Sequence, residues 1–164
     1  MRPSRLLVLL APFAFTACLN GTDSFSGTNN GTPIDCETLA TSLDASAPTL
    51  TANATDSTLK FRDLLVGTGA TVEKGQQVAV HYSGCLTTGL KFDENNNADP
   101  AFVFTTGKTP PEVIEGFDLG VVGMKVGGRR QLVIPPDLAY GSTGRSSIPP
   151  NATLVFTVDL VATQ

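Results

Sequence analysis

Histidine occurs once in the 164 residues, at His81, and tryptophan is absent. A single imidazole rules out a metal site or a catalytic relay built on several histidines, and leaves His81 as an expected ordinary strand residue. Basic residues are also scarce, 11 against 15 acidic. Loss of Arg2 and Arg5 with an N-terminal leader takes the formal charge from −4 to −6 and leaves no basic stripe, which excludes nucleic acid as a partner. Long apolar runs are missing too. The candidate stretch, Leu6 to Phe15, is ten residues, against the roughly 20 that span a bilayer as a helix. No internal repeat is present. A hydrophobic content of 41%, with 16 Gly and 11 Pro, leaves room for one modest core and many turns.

The N-terminus MRPSRLLVLLAPFAFTAC combines two arginines, an apolar stretch and small residues before a cysteine, which reads as an export signal over residues 1–17. Phe15, Thr16, Ala17 and Cys18 resemble a bacterial lipobox, so Cys18 is expected to be lipidated and to anchor the chain to a membrane. Phe15 stands where leucine is usual. Ordinary secretion with cleavage near Ala17, or an uncleaved anchor, are the alternatives. Leu19 in place of Asp after Cys18 implies, by likeness to such lipoproteins, the outer membrane facing the periplasm. In an oxidising compartment Cys36 and Cys85 are expected to bridge, the alternative being two unpaired thiols. Closing that loop of about 50 residues is worth roughly 3 to 4 kcal/mol in the chain-entropy model.

Residues 18–57 are expected to form a tether and N-terminal extension. LNGTDSFSGTNNGTP has little to bury, and Ile34, Leu39 and Leu43 form a short apolar set that Pro48 ends. From about residue 58 the patterns become regular. Leu59, Phe61, Leu64 and Val66 mark strand-like segments, Val78, Val80 and Tyr82 alternate with Ala79, His81 and Ser83, and Leu154, Phe156, Val158 and Leu160 share a face. Only one segment has helical spacing. Val113, Ile114, Phe117 and Val121 follow Pro110 and Pro111, which suit a helix start, and precede Gly123, which suits an end. Gly127–Arg130 has no following helix and reads as a turn into a strand rather than a phosphate loop. The fold class is α+β, the alternative being a small all-β barrel with the 113–122 segment as a loop.

The order VAVHYSGCL, LKFDE, FVF, EVI, VIEGFDLGVVGMKVGGRRQLVIPPDLAYG and PPNATLVFTVDLV closely resembles the FKBP-type peptidyl-prolyl cis/trans isomerases over roughly residues 58–164. The resemblance implies an antiparallel β half-barrel wrapped around one short α-helix. It also implies an isomerase acting on X-Pro bonds of exported proteins, with no cofactor or metal, proline-containing polypeptides as substrates, and macrolides as inhibitors. A monomer is expected, since no exposed apolar seam is evident.

Rotation about X-Pro breaks no bond between heavy atoms. Its barrier of about 18 to 20 kcal/mol is amide resonance, so a catalyst must favour the twisted amide, and an apolar pocket with a few placed donors suits that task. Both tyrosines and five phenylalanines fall in the segments that match the family's cleft. The resemblance assigns catalytic roles to Tyr82, Asp93 and Tyr140, and substrate contacts to Phe92, Phe102, Val113, Ile114, Phe117, Ile148 and Phe156. Phe117 is implied as the floor under the proline, and the Tyr140 hydroxyl and Ile114 N–H as donors to substrate carbonyls. Asp93 is implied to polarise the amide's surroundings; in isolation it reads as a turn residue. Phe104 reads as core. The sequence departs from the family in having Phe117 where Trp is frequent and no arginine between Asp93 and Phe102. It also has a loop, GSTGRSSIPP, one residue shorter than usual and carrying Arg145 and Ser147. A non-catalytic module that holds a proline-containing segment of an envelope partner is the alternative function.

Overall fold

Alternation turns into seven antiparallel strands: β1 (Thr51–Ala52), β2 (Lys60–Leu65), β3 (Gln77–Leu86), β4 (Lys91–Asn95), β5 (Phe102–Thr105), β6 (Arg129–Ile134) and β7 (Leu154–Thr163). The computed structural model describes residues 51–53, 56, 58–96 and 99–164, all within the unit Gly31–Gln164. The leader, Cys18, Cys36 and the apolar residues 34–43 lie outside the described residues. The sheet runs β1-β2-β6-β7-β3-β4. β3 is shared along its length: β7 pairs on one edge, while the other pairs with β5 through Gln77–Val80 and with β4 through Tyr82–Cys85.

The sheet begins earlier than the sequence boundary at 58. Thr51 pairs with Phe61 and Ala52 with Lys60, and Asn53 reaches both Leu59 O and, through Nδ2, Leu119 O. Two residues are too few to carry a period, which is why this strand reads as tether.

One α-helix, α1 (Glu115–Val121), is present among the described residues. It starts later than Pro110 and Pro111 suggest, because the chain stays extended through Ile114 (φ −63°, ψ 146°), the N-cap. Glu115 and Asp118 in its first turn face the positive end of the helix dipole, and Gly123, at φ +81°, turns the chain away after it. The helix lies very close to β6. A Cβ on Gly116 would fall 2.3 Å from Ile134 Cγ2, and one on Gly120 2.6 Å from Leu132 Cδ1. That approach seats Phe117 and Val121 in the core with Val78, Val80, Phe104, Leu132, Ile134, Leu154, Phe156 and Val158.

Arg130 ties the helix end to the sheet. Its Nε and Nη2 donate to the Asp63 carboxylate at 2.6 and 3.2 Å, and Nη1 donates to Gly120 O and Val122 O. The guanidinium also lies 4.1 Å from the Phe61 ring centroid. The helix's unpaired terminal carbonyls thus find a cation.

The opposite face of the sheet is not simply solvated. Gln131, Cys85, Val155 and Thr157 are all at most 3% exposed. Gln131 stands opposite Thr157, which pairs in turn with Ser83, and Val133, Val155 and Cys85 form the next rung. Cys85 is disulfide-bonded, and its partner lies outside the described residues, among which it is the only cysteine. His81 is the strand residue expected, its Nδ1 within 2.9 Å of Asn95 Oδ1.

Candidate active site

The inward positions of β3, β4, β5, α1 and β7 converge on a cavity of about 360 Å³, in the range of small-ligand sites. Phe117 is its floor, 3% exposed and held among rings: Tyr82 at 5.7 Å, Phe104 at 5.7 Å and Phe156 at 5.1 Å between centroids. Tyr82 also meets Phe102 edge-on at 6.0 Å, and Phe156 at the same separation. These edge and tilted contacts fix each ring against two or more others, leaving a rigid apolar surface.

Eight of the ten sequence-assigned cleft residues line this cavity: Tyr82, Asp93, Phe102, Val113, Ile114, Phe117, Tyr140 and Phe156. Phe92 and Ile148 do not. Phe92 stands edge-on to Phe156 at 5.5 Å, behind the wall, where Gly84 leaves room: a Cβ there would come within 2.9 Å of both rings. Ile148 is buried in the core, because a two-residue turn folds it inward opposite Arg145. Phe104 is core, as its pattern suggests.

Three further residues line the cavity: Pro111, Glu112 and Arg145. Glu112 pairs with Lys108 and accepts the Thr105 N–H at 2.8 Å, while the Asp118 carboxylate accepts the Gly107 N–H at 2.9 Å. These two acids pin the connection between β5 and α1, and with it Val113 and Ile114. The Lys108 ammonium, then the Thr105 N–H, hold the Glu112 carboxyl below its ordinary range. Lys108 and Glu112 being four apart was the available sequence signal, but outside a helix that spacing carries little weight.

The polar groups divide into used and unused. The Tyr82 hydroxyl donates to Asp93 Oδ2 at 3.0 Å, and Asp93 Oδ1 accepts the Glu94 N–H at 2.9 Å. Burial, then the Asp93 charge and this hydrogen bond, push the Tyr82 phenol up to about 12, so it remains a neutral donor. By contrast, neither the Tyr140 hydroxyl nor the Ile114 N–H has a hydrogen-bond partner among the described residues. The cavity therefore presents apolar walls and two unspent donors. No cluster of three His, Cys, Asp or Glu side chains suited to a metal occurs among the described residues.

Residues 69–161 match the sequence model of the FKBP-type peptidyl-prolyl cis-trans isomerase family. The chain belongs to that family. Among relatives of this FKBP domain, FK506-binding protein 4 of Dictyostelium discoideum is 46% identical over 121 residues, which are 73% of this chain and 32% of that protein. FK506-binding protein 4 of Gibberella zeae is 50% identical over 99 residues, 60% of this chain and 19% of that protein. The chain thus spans about a third or less of the length of these relatives. Among solved structures, AtFKBP13 superposes with a TM-score of 0.63 at 33% identity, covering 71% of this chain and all of that one. FkpA from Escherichia coli gives 0.63 at 32% identity, covering 79% of this chain and 57% of that one. The half-barrel around one short helix is the FKBP fold.

Proposed function

We propose that the chain is a peptidyl-prolyl cis/trans isomerase that lowers the barrier to X-Pro rotation without covalent chemistry. The observation that carries this is the pairing of a rigid aromatic cavity with two unspent donors, Tyr140 Oη–H and the Ile114 N–H. Twisting an amide removes its conjugation and returns electron density to nitrogen, so the carbonyl gains less from water than the planar amide does. Walls of Tyr82, Phe102, Phe117 and Phe156 exclude that water, and the two donors orient the peptide's carbonyls. Asp93 holds the Tyr82 hydroxyl in place and supplies a fixed dipole beside the cavity; it is not a base, since no proton is removed.

The test is the cis-to-trans exchange rate of a proline tetrapeptide with wild-type protein and with Tyr140→Phe, Asp93→Ala and Phe117→Ala. Acceleration that falls in all three supports the reading. A folded protein that accelerates nothing leaves the non-catalytic module, which binds a proline-containing segment of an envelope partner. The cavity also suits FK506-type macrolides, after which the relatives are named, and titration with such a macrolide should suppress the acceleration.

The setting belongs to the same reading. An export signal, lipidation of Cys18 and attachment of a monomer to the outer membrane on its periplasmic side rest on the N-terminal sequence. The disulfide at Cys85 supports export, because such bonds persist in oxidising compartments. With Cys18 taken by lipid, Cys36 is the remaining partner. Mass spectrometry of the mature protein decides both points: an acylated N-terminal Cys18 peptide, and a Cys36–Cys85 linked peptide lost on reduction.

A further inference from the structure

We propose that Arg145 makes the site selective for an acidic residue next to the substrate proline; this deepens the isomerase reading and rests on it. Arg145 lines the cavity, and its guanidinium lies over the Tyr140 ring, 5.6 Å from the centroid. It takes part in none of the ion pairs among the described residues.

The exposed side chain is nonetheless held by its backbone. Arg145 N donates to Ile148 O at 2.9 Å and Ile148 N donates to Arg145 O at 2.8 Å, closing a two-residue turn. Gly144, at φ +67°, enters that turn where a Cβ would lie 2.5 Å from Ile148 O. Ile148, opposite Arg145 in this bridge, is buried, and the Arg145 side chain reaches the Tyr140 ring. A cation over the ring whose hydroxyl is an unspent donor stands at the rim of the cavity, beside the peptide's path.

The other charges at the cavity are committed differently. Lys108 is paired with Glu112. Asp93 binds the Tyr82 hydroxyl and the Glu94 N–H, and carries a charge without a cation partner among the described residues. The rim therefore offers a bound anion on the Tyr82 side and a free cation on the Tyr140 side. A peptide carboxylate pairs with Arg145, which presents unused N–H donors in a planar fork.

The experiment measures kcat/KM of the full chain for tetrapeptides with Glu, Gln or Lys immediately before proline, and for a second series with the same residues immediately after it. In low salt, Glu is expected to exceed Gln by about two- to fivefold in at least one series, as an exposed ion pair allows. The ratio should fall towards one in high salt, fall to one in R145Q and be partly kept in R145K. A Glu-to-Gln ratio of one in both series, or one unchanged by R145Q, overturns the inference while leaving the isomerase reading intact. A preference for Lys overturns it too and assigns the rim to Asp93. No acceleration with any peptide removes the isomerase reading and this inference together.

Discussion

The Tyr82 hydroxyl on β3 donates to Asp93 Oδ2 on β4 at 3.0 Å, although the two are not directly opposite in the ladder, Tyr82 facing Asn95 and Asp93 facing Gly84. This diagonal contact spends the carboxylate on a neighbour and, after burial, helps push the phenol's pKa up to about 12. Raising a phenol's pKa on folding means that the folded chain holds the proton more tightly. Tyr82 thus contributes no pH dependence to stability below pH 10, and stability falls as pH rises from 10 towards 12. Denaturation midpoints at pH 9 and pH 11.5 should drop less in Tyr82→Phe than in wild type.

Tyr140→Phe separates the two tyrosines. Its hydroxyl has no partner to lose, so stability should shift by less than about 0.5 kcal/mol, the range of changes away from special features. Exchange catalysis should fall by about tenfold, one hydrogen bond's worth. Chemical denaturation and the tetrapeptide rate are the paired readouts.

Gly116→Ala sets helix propensity against packing. Propensity alone favours Ala by about 1 kcal/mol. The Cβ, however, would stand 2.3 Å from Ile134 Cγ2, and overpacking of this kind costs about 1 to 3 kcal/mol. Net destabilisation and a reduced rate, through displacement of Phe117, are expected; a stabilised, fully active variant would refute the close-packing account.

Asp63→Ala leaves the buried Arg130 guanidinium without its carboxylate and should cost about 3 kcal/mol. Arg130→Met added to Asp63→Ala should cost less than the two single changes summed, because the second change removes the stranded charge. Urea denaturation of the four proteins measures this coupling.

Thr157→Val tests the outer face. Thr157 Oγ1 is buried without a hydrogen-bond partner among the described residues, so an isosteric methyl should stabilise the domain by about 1 kcal/mol. A destabilised variant would mean that water satisfies the hydroxyl.

What was readable in the sequence follows from how each feature is encoded. β3 and β7 were legible because apolar residues alternate at Val78 and Val80, and at Leu154, Phe156, Val158 and Leu160, although β7 is buried on both faces from Leu154 to Val158. The helix was legible in existence but not in its start, since Pro110 and Pro111 suit a first turn as well as the extended chain they begin. The aromatic wall was legible because motif order places each ring. Glu112 and Arg145 were not singled out as site residues, because a charged residue in a loop looks the same whether it faces water or a cavity. The burial of Gln131 and Thr157 was likewise invisible, because their polarity argues for exposure.

The position of β7 between β3 and β6 has a consequence for how the protein is made. Residues 77–86 and 129–134 are each bonded to β7 and never to one another, so the two halves of the sheet have no common ladder until residues 154–163 emerge from the ribosome. Phe156, a wall of the cavity, is on that same strand. A nascent chain ending before it carries an exposed apolar helix face and unpaired strand edges. Those surfaces expose the growing polypeptide to aggregation, and with so many distant pairings to close, folding of the sheet should wait for β7.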